Sequence, residues 1–175
     1  KDMAPSPGQA RLPSRQFWAW IGLAAFIVGL DQWTKQYFDS NLFYQERWNI
    51  LPFFDFTLLY NPGAAFSFLA GGQGWQRWFF TGVSAVASLL IIYLLRKHAA
   101  DRLFCIALSL ILGGALGNLW DRITLGHVVD FLDFHVAGNH WPAFNVADSA
   151  IFIGAVLMVI ESFRHKELDA GKSGG

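Results

Sequence analysis

Four apolar runs restrict this chain more than any other feature: Phe17 to Leu30, Trp78 to Leu95, Leu103 to Trp120 and Ala150 to Ile160. A helix needs roughly 20 residues to cross the hydrocarbon of a bilayer. The two middle runs nearly meet that length as they stand. Phe17 to Leu30 has 14 residues, so a spanning helix must continue through Asp31, Lys35 and Phe38. The last run has 11, so its helix must reach back to about Phe144 and on to about Phe163. The expected fold is a membrane all-α domain with a small β element. Its four transmembrane helices fall at about 17–38, 76–95, 103–120 and 144–163, within one domain at 17–163. A content of 54% hydrophobic and only 15% charged residues agrees with burial in lipid.

Placing the basic residues between these spans orients them. Lys1, Arg11, Arg15, Arg96, Lys97, Arg102, Arg164, Lys166 and Lys172 fall on one side, and only Lys35, Arg47, Arg77 and Arg122 lie toward the other. By the positive-inside rule both termini are cytoplasmic. Residues 1–16, rich in Pro and Gly and without a signal-peptide cleavage site, are expected to be a disordered tail, and 164–175 a second cytoplasmic tail. A formal net charge of zero gives no footprint for nucleic acid. Cys105, the only cysteine, is expected to be a packing residue near the cytoplasmic end of the third span.

The outward segments, 39–75 and 121–143, are too apolar for ordinary loops. Trp48 to Tyr60 is aromatic and β-branched enough for strand, Asn61-Pro62-Gly63 supplies a turn, Ala64 to Ala70 is a further apolar run, and Gly71-Gly72-Gln73-Gly74 is a flexible break. A small sheet or cradle resting on the outer membrane surface is expected, with Trp48, Tyr60, Trp75 and Trp78 as interfacial aromatics. His127 to Val136 reads as another strand, with Val128, Asp130, Leu132 and Phe134 on one face. Pro142 and Asn145 announce the fourth helix, Asn145 as its N-cap. The third span ends in Gly113-Gly114-Ala115-Leu116-Gly117-Asn118, where Gly113 and Gly117 allow close approach of another helix. Asn118 and Arg122, four residues apart, share a face.

Acids are expensive in such a setting. Asp31 and Lys35 stand at i and i+4, the order that favours an intrahelical pair. Asp148, three residues after Asn145, suits the first turn of a helix and its positive end. Asp130 has no such structural excuse. The two are 18 residues apart with a turn-capable middle, so their carboxyls can meet. Paired carboxylates that share one proton activate water for attack on an amide, the ionised member accepting a proton and the other donating one. Asp148, at the helix end, is expected to be ionised and Asp130 to hold the proton. Arg122 offers a counter-ion or a site for lipid phosphate. Alternative arrangements are a metal site from His127, His135 and His140 with Asp130 and Asp133, whose spacing fits no compact ligand motif, and a Ser149 and Lys35 mechanism. A small ion-coupled transporter component would also place acids in a membrane, and a non-enzymatic scaffold would use them as helix caps.

Over nearly all of 17–163 the residues resemble bacterial lipoprotein signal peptidase, also called signal peptidase II. The blocks are Asp31-Gln32-Trp33-Thr34-Lys35, Asn61-Pro62-Gly63-Ala64-Ala65-Phe66, Gly114 to Arg122, Val128-Val129-Asp130-Phe131 and Phe144-Asn145-Val146-Ala147-Asp148-Ser149. The resemblance implies an aspartic endopeptidase of the bacterial inner membrane with Asp130 and Asp148 as its catalytic pair and no metal or cofactor. It implies that Asn61, Gly63, Asn118, Arg122 and Asn145 line and orient the site, supported by Asp31 and Lys35. The implied substrate is a prolipoprotein cut just before a diacylglyceryl-modified cysteine; membrane lipids are expected as further partners, and the chain is expected to act as a monomer. Four transmembrane helices, a small periplasmic β-cradle and a membrane-surface arm are implied as well.

Overall fold

The computed structural model describes residues 14–63 and 75–173, with side chains through Arg164. Residues 1–13 of the expected tail, the apolar run 64–70 and the glycine break 71–74 lie outside the described residues.

Helix α1, Arg15–Asn41, starts where the Ser14 hydroxyl accepts from Phe17 N at 3.2 Å, so the helix already includes the last two residues assigned to a tail. It leads into β1, Arg47–Leu51, and β2, Phe54–Asn61, which pair as a hairpin. Helices α2, Trp75–Lys97, and α3, Arg102–Thr124, follow, then β3, Val128–Val136, the short β4, Asn139–His140, and α4, Val146–Ser173. Asn145 caps α4, its side-chain oxygen accepting from Asp148 N at 2.9 Å. The fourth helix thus begins at Val146 rather than near Phe144, because the cap and Pro142 occupy the positions before it. At its other end α4 continues past Phe163 to Ser173; hydropathy marks where lipid would end, while helical hydrogen bonding continues through polar helix formers.

Among the described residues three helices, spanning 75–97, 102–124 and 146–164, are long and apolar enough to cross a membrane. α1 has the length, but polar residues from Asp31 onward dilute its apolar run. Its buried residues, Phe17, Ala24, Ile27, Asp31, Lys35 and Phe38, recur every three or four positions or at seven, forming a single stripe that carries two charges.

α3 is the central helix, packed against α1, α2 and α4. Its glycines set the closeness of two of these contacts. A Cβ on Gly113 would lie 2.6 Å from Ile27 Cβ, and one on Gly117 would lie 2.5 Å from an Asp31 carboxylate oxygen, so both receive α1. Gly114 faces α4, where a Cβ would collide with the Ala147 carbonyl and approach Ile151 Cγ1 at 2.7 Å. One apolar core joins Phe17, Ile91, Leu95, Leu108, Leu112 and the fully buried Cys105. A second, built on Phe38, Leu42, Leu58, Val129 and Phe131, locks the end of α1 to the sheet, with the Phe38 and Phe131 rings stacked at 4.4 Å.

The strands form one antiparallel order, β1-β2-β3-β4. β3 is buried on both faces through Phe131, not on alternate residues as a strand resting on a surface would be. The ends of α1 and α3, the start of α4 and the start of β3 therefore meet at one level.

Candidate active site

At that level seven polar side chains form a continuous chain of bonds. Lys35 Nζ lies 2.7 Å from Asp31 and 2.9 Å from Asp121, and it donates to Asn118 Oδ1 at 2.9 Å. With its oxygen held by the ammonium, Asn118 turns its NH2 toward Asp148 and donates to Oδ1 at 2.7 Å. Asn145 is fixed in the same manner: its oxygen takes the Asp148 N–H, so its NH2 faces Asp130 Oδ1 at 2.8 Å, and it also reaches Val129 O at 3.2 Å and Asn118 Oδ1 at 3.3 Å. The orientation of each amide follows from a donor at its oxygen, and each then presents a donor to one aspartate. The side chain of Asn61 gives Asp130 a second hydrogen bond.

Asp31, Lys35, Asn118, Asp121, Asp130 and Asn145 are all buried, with Asp31 and Asn145 at 0% exposure. Charges so placed persist only when paired and hydrogen-bonded. Asp130 is pushed up to about 7, by burial first and by the charge of Asp148 second; the bonds from Asn61 and Asn145 and the charge of Lys35 pull the other way. A carboxyl with raised proton affinity favours the folded state below its ordinary 3.8 and loses that advantage as the pH rises through about 7. Asp130→Asn has no proton to lose. Its stability relative to the unchanged protein is expected to improve by ~2–4 kcal/mol between about pH 5 and pH 8. Thermal unfolding at both pH values checks this, and a difference that does not vary with pH contradicts it.

The remaining expected site residues surround this chain. Arg122 donates to the Asn118 carbonyl at 3.3 Å, rests 5.4 Å over the Phe80 ring, and extends its charge over Asp148 and Asp130, as a counter-ion would. Gly63 closes a turn in which its N–H meets Asn61 Oδ1 at 2.9 Å. Its φ of +100° and the Phe80 ring 3.0 Å from any added Cβ both call for glycine. Beside Asp148 opens a groove of about 470 Å³ lined by Trp141, Phe144, Ser149, Phe152 and Ile153.

The alternative arrangements are not assembled. His140 pairs with Asp133 at 2.9 Å, His135 with Asp55 at 3.3 Å, and the His127 ring packs on Tyr60 at 4.4 Å. Among the described residues no group of three His, Cys, Asp or Glu side chains is gathered as a metal ion would require. Ser149 donates to Asn145 O at 2.9 Å, while Lys35 is committed to two carboxylates and Asn118. Two members of the site escaped the sequence reading, Asp121 and Gln32, whose Nε2 donates to Asp121 Oδ1 at 2.8 Å. The available signal was Asp121 three residues after Asn118, and therefore near it on the helix.

A profile of the family described as Signal peptidase (SPase) II matches residues 23–164. Proteins named lipoprotein signal peptidase are close in sequence. That of Ralstonia nicotianae is 57% identical over 145 residues, covering 83% of this chain and 84% of its own length. That of Burkholderia thailandensis is 49% identical over 164 residues, covering 94% and 95%. A bacterial membrane enzyme solved by the in meso method at 2.3 Å superposes with a TM-score of 0.76 at 31% identity, over 89% of this chain and 94% of that one. Another, at 1.9 Å, gives 0.73 at 34% identity over 82% and 92%. With its long apolar helices, its small antiparallel sheet and these relatives, the chain belongs to the signal peptidase II family.

Proposed function

We propose that this protein is an aspartic endopeptidase that removes signal peptides from prolipoproteins, cutting just before a diacylglyceryl-modified cysteine, with Asp130 and Asp148 as the catalytic pair. The observation that carries the reading is the pairing of each carboxylate with its own asparagine donor, Asn145 for Asp130 and Asn118 for Asp148, in a buried site where the two acids repel. Like charges at close range favour one shared proton. Asp148, at the N-terminus of α4 and under Arg122, is the ionised member, and Asp130 holds the proton. Asp148 takes a proton from water as its oxygen attacks the scissile carbonyl carbon, and Asp130 donates to the carbonyl oxygen. Collapse of the tetrahedral intermediate returns a proton to the leaving cysteine nitrogen.

The four helices cross the bacterial inner membrane with both termini in the cytoplasm. That places the sheet and the acids at the periplasmic face, and a lipid-anchored cysteine is held at the same depth. The apolar groove beside Asp148 suits an acyl chain or an apolar signal segment. One chain supplies both acids and both asparagines, so a monomer suffices. Purified protein in lipid is expected to cut a diacylglyceryl-modified precursor at the bond before the cysteine, without effect of chelator, and to leave the unmodified precursor intact. Equal cleavage of the unmodified form would overturn recognition of the lipid.

A further inference from the structure

Two buried carboxylates outside the proposed pair hold main-chain groups. Asp31 Oδ1 accepts from Ala147 N at 2.8 Å, and Asp121 Oδ2 accepts from Val129 N at 3.3 Å. Ala147 immediately precedes Asp148, and Val129 immediately precedes Asp130. Lys35 lies between these carboxylates, 2.7 Å from one and 2.9 Å from the other, so a single ammonium links both anchors.

The Val129 anchor answers a specific need of the sheet. β4 pairs with His135 and Val136, and Phe144 bridges to Leu132, so among the described residues no strand covers Val128 to Asp130 on that side. A buried N–H there costs about as much as a lost hydrogen bond unless a side chain supplies an acceptor. Asp121 supplies one, while Asn145 takes the Val129 carbonyl, so side chains hold both polar groups of this residue. Gln32 orients the Asp121 carboxylate through its other oxygen at 2.8 Å and is itself tied to Gly117 O at 3.2 Å. A charged acceptor makes these bonds stronger than neutral ones.

We propose that Asp121 is a positioning residue for the peptidase reaction: through the Val129 N–H it fixes the strand that carries Asp130, as Asp31 through the Ala147 N–H fixes the helix start that carries Asp148. The inference rests on the reading of Asp130 and Asp148 as the catalytic pair. Asp121 touches neither carboxyl. It acts by holding one of them at the distance from the other that the chemistry requires, and displacements of about 1 Å cost on the order of 100-fold in rate.

The test uses the full chain in detergent or lipid and the variant Asp121→Leu, which removes the acceptor but leaves Lys35 and Asp31 as a one-to-one pair. Amide hydrogen exchange is read by NMR at Val129 and at Ala147, together with kcat and KM for a diacylglyceryl-modified prolipoprotein. Exchange at Val129 is expected to speed up by about 10-fold or more while Ala147 stays within about threefold, and kcat to fall by about 30- to 100-fold with KM within about twofold. Gln32→Leu keeps every charge and removes the 2.8 Å bond to Asp121 Oδ1 together with a longer one, 3.3 Å, to Asp31 Oδ2, while Asp31 keeps Lys35 at 2.7 Å; its kcat is expected to fall by about 3- to 10-fold. Equal acceleration of both amides, kcat of Asp121→Leu within about twofold of the unchanged protein, or a raised KM at constant kcat overturns the proposal. Should Asp121→Leu fail to fold, Gln32→Leu decides the matter by the same two readouts. Failure of the unchanged protein to cut, or full activity of Asp130→Asn, would instead overturn the peptidase reading, and the two amides still report whether Asp121 holds the strand.

Discussion

Asp130→Asn and Asp148→Asn are each expected to lower cleavage of a diacylglyceryl-modified precursor by about 10³-fold or more, with the double variant no worse than either single one. An amide has the shape of a carboxyl but neither takes a proton from water nor gives one to a carbonyl oxygen. Both variants keep an oxygen to accept from the asparagine that holds the native side chain, Asn145 for position 130 and Asn118 for position 148, so the site stays assembled. Loss of rate without loss of fold separates catalysis from the favourable charge that Asp148 also places in the first turn of α4. Non-additivity separates a pair that works as a unit from two independent contributors. Single-turnover rates in lipid give the measurement. Retention of a tenth or more of the activity by either variant would falsify the pair.

Lys35→Met is expected to cost about 3–5 kcal/mol of stability, because it leaves two buried carboxylates, Asp31 and Asp121, without the ammonium between them. It also strips Asn118 Oδ1 of its shorter donor, leaving only the 3.3 Å bond from Asn145, so activity falls with stability. A drop of roughly 10 °C in the unfolding midpoint follows for a chain of this size. Cys105, the single cysteine and fully buried, makes the measurement convenient, since a thiol-reactive fluorophore labels it only on unfolding. Adding Asp31→Asn to Lys35→Met removes one of the stranded charges and is expected to recover part of the loss. A midpoint for Lys35→Met within about 2 °C of the unchanged protein contradicts the account.

Much of the site was legible because its members obey local rules. Asn145 as the N-cap, Asp148 in the first turn, and Asp31 with Lys35 at i and i+4 all depend on helical geometry that spacing alone reveals. Gly113 and Gly117 announced a close helix contact, and α1 makes it. The sequence did not disclose which helix each glycine receives, nor that Gly114 packs on α4 while Gly117 lies between Asp31 of α1 and Ala147 of α4, since that depends on how α3 is rotated among three neighbours. Gln32 and Asp121 were hidden for a similar reason. They lie 89 residues apart, and only the packing of α1 on α3 brings them to 2.8 Å.

The chain by itself determined its apolar helices, its strand-rich connecting segments, its family, and the two acids that most need a reason to exist. These follow from hydrophobic length, turn chemistry and the cost of charge in an apolar setting, all of which act over a few residues at a time. The tertiary structure decided how the acids are held: that one lysine serves two further carboxylates, that each carboxylate anchors the residue before one of the acids, and that each amide turns its donors toward a different acid. Such an arrangement depends on the rotation and depth of helices distant in sequence, which are set by packing and burial across the whole bundle.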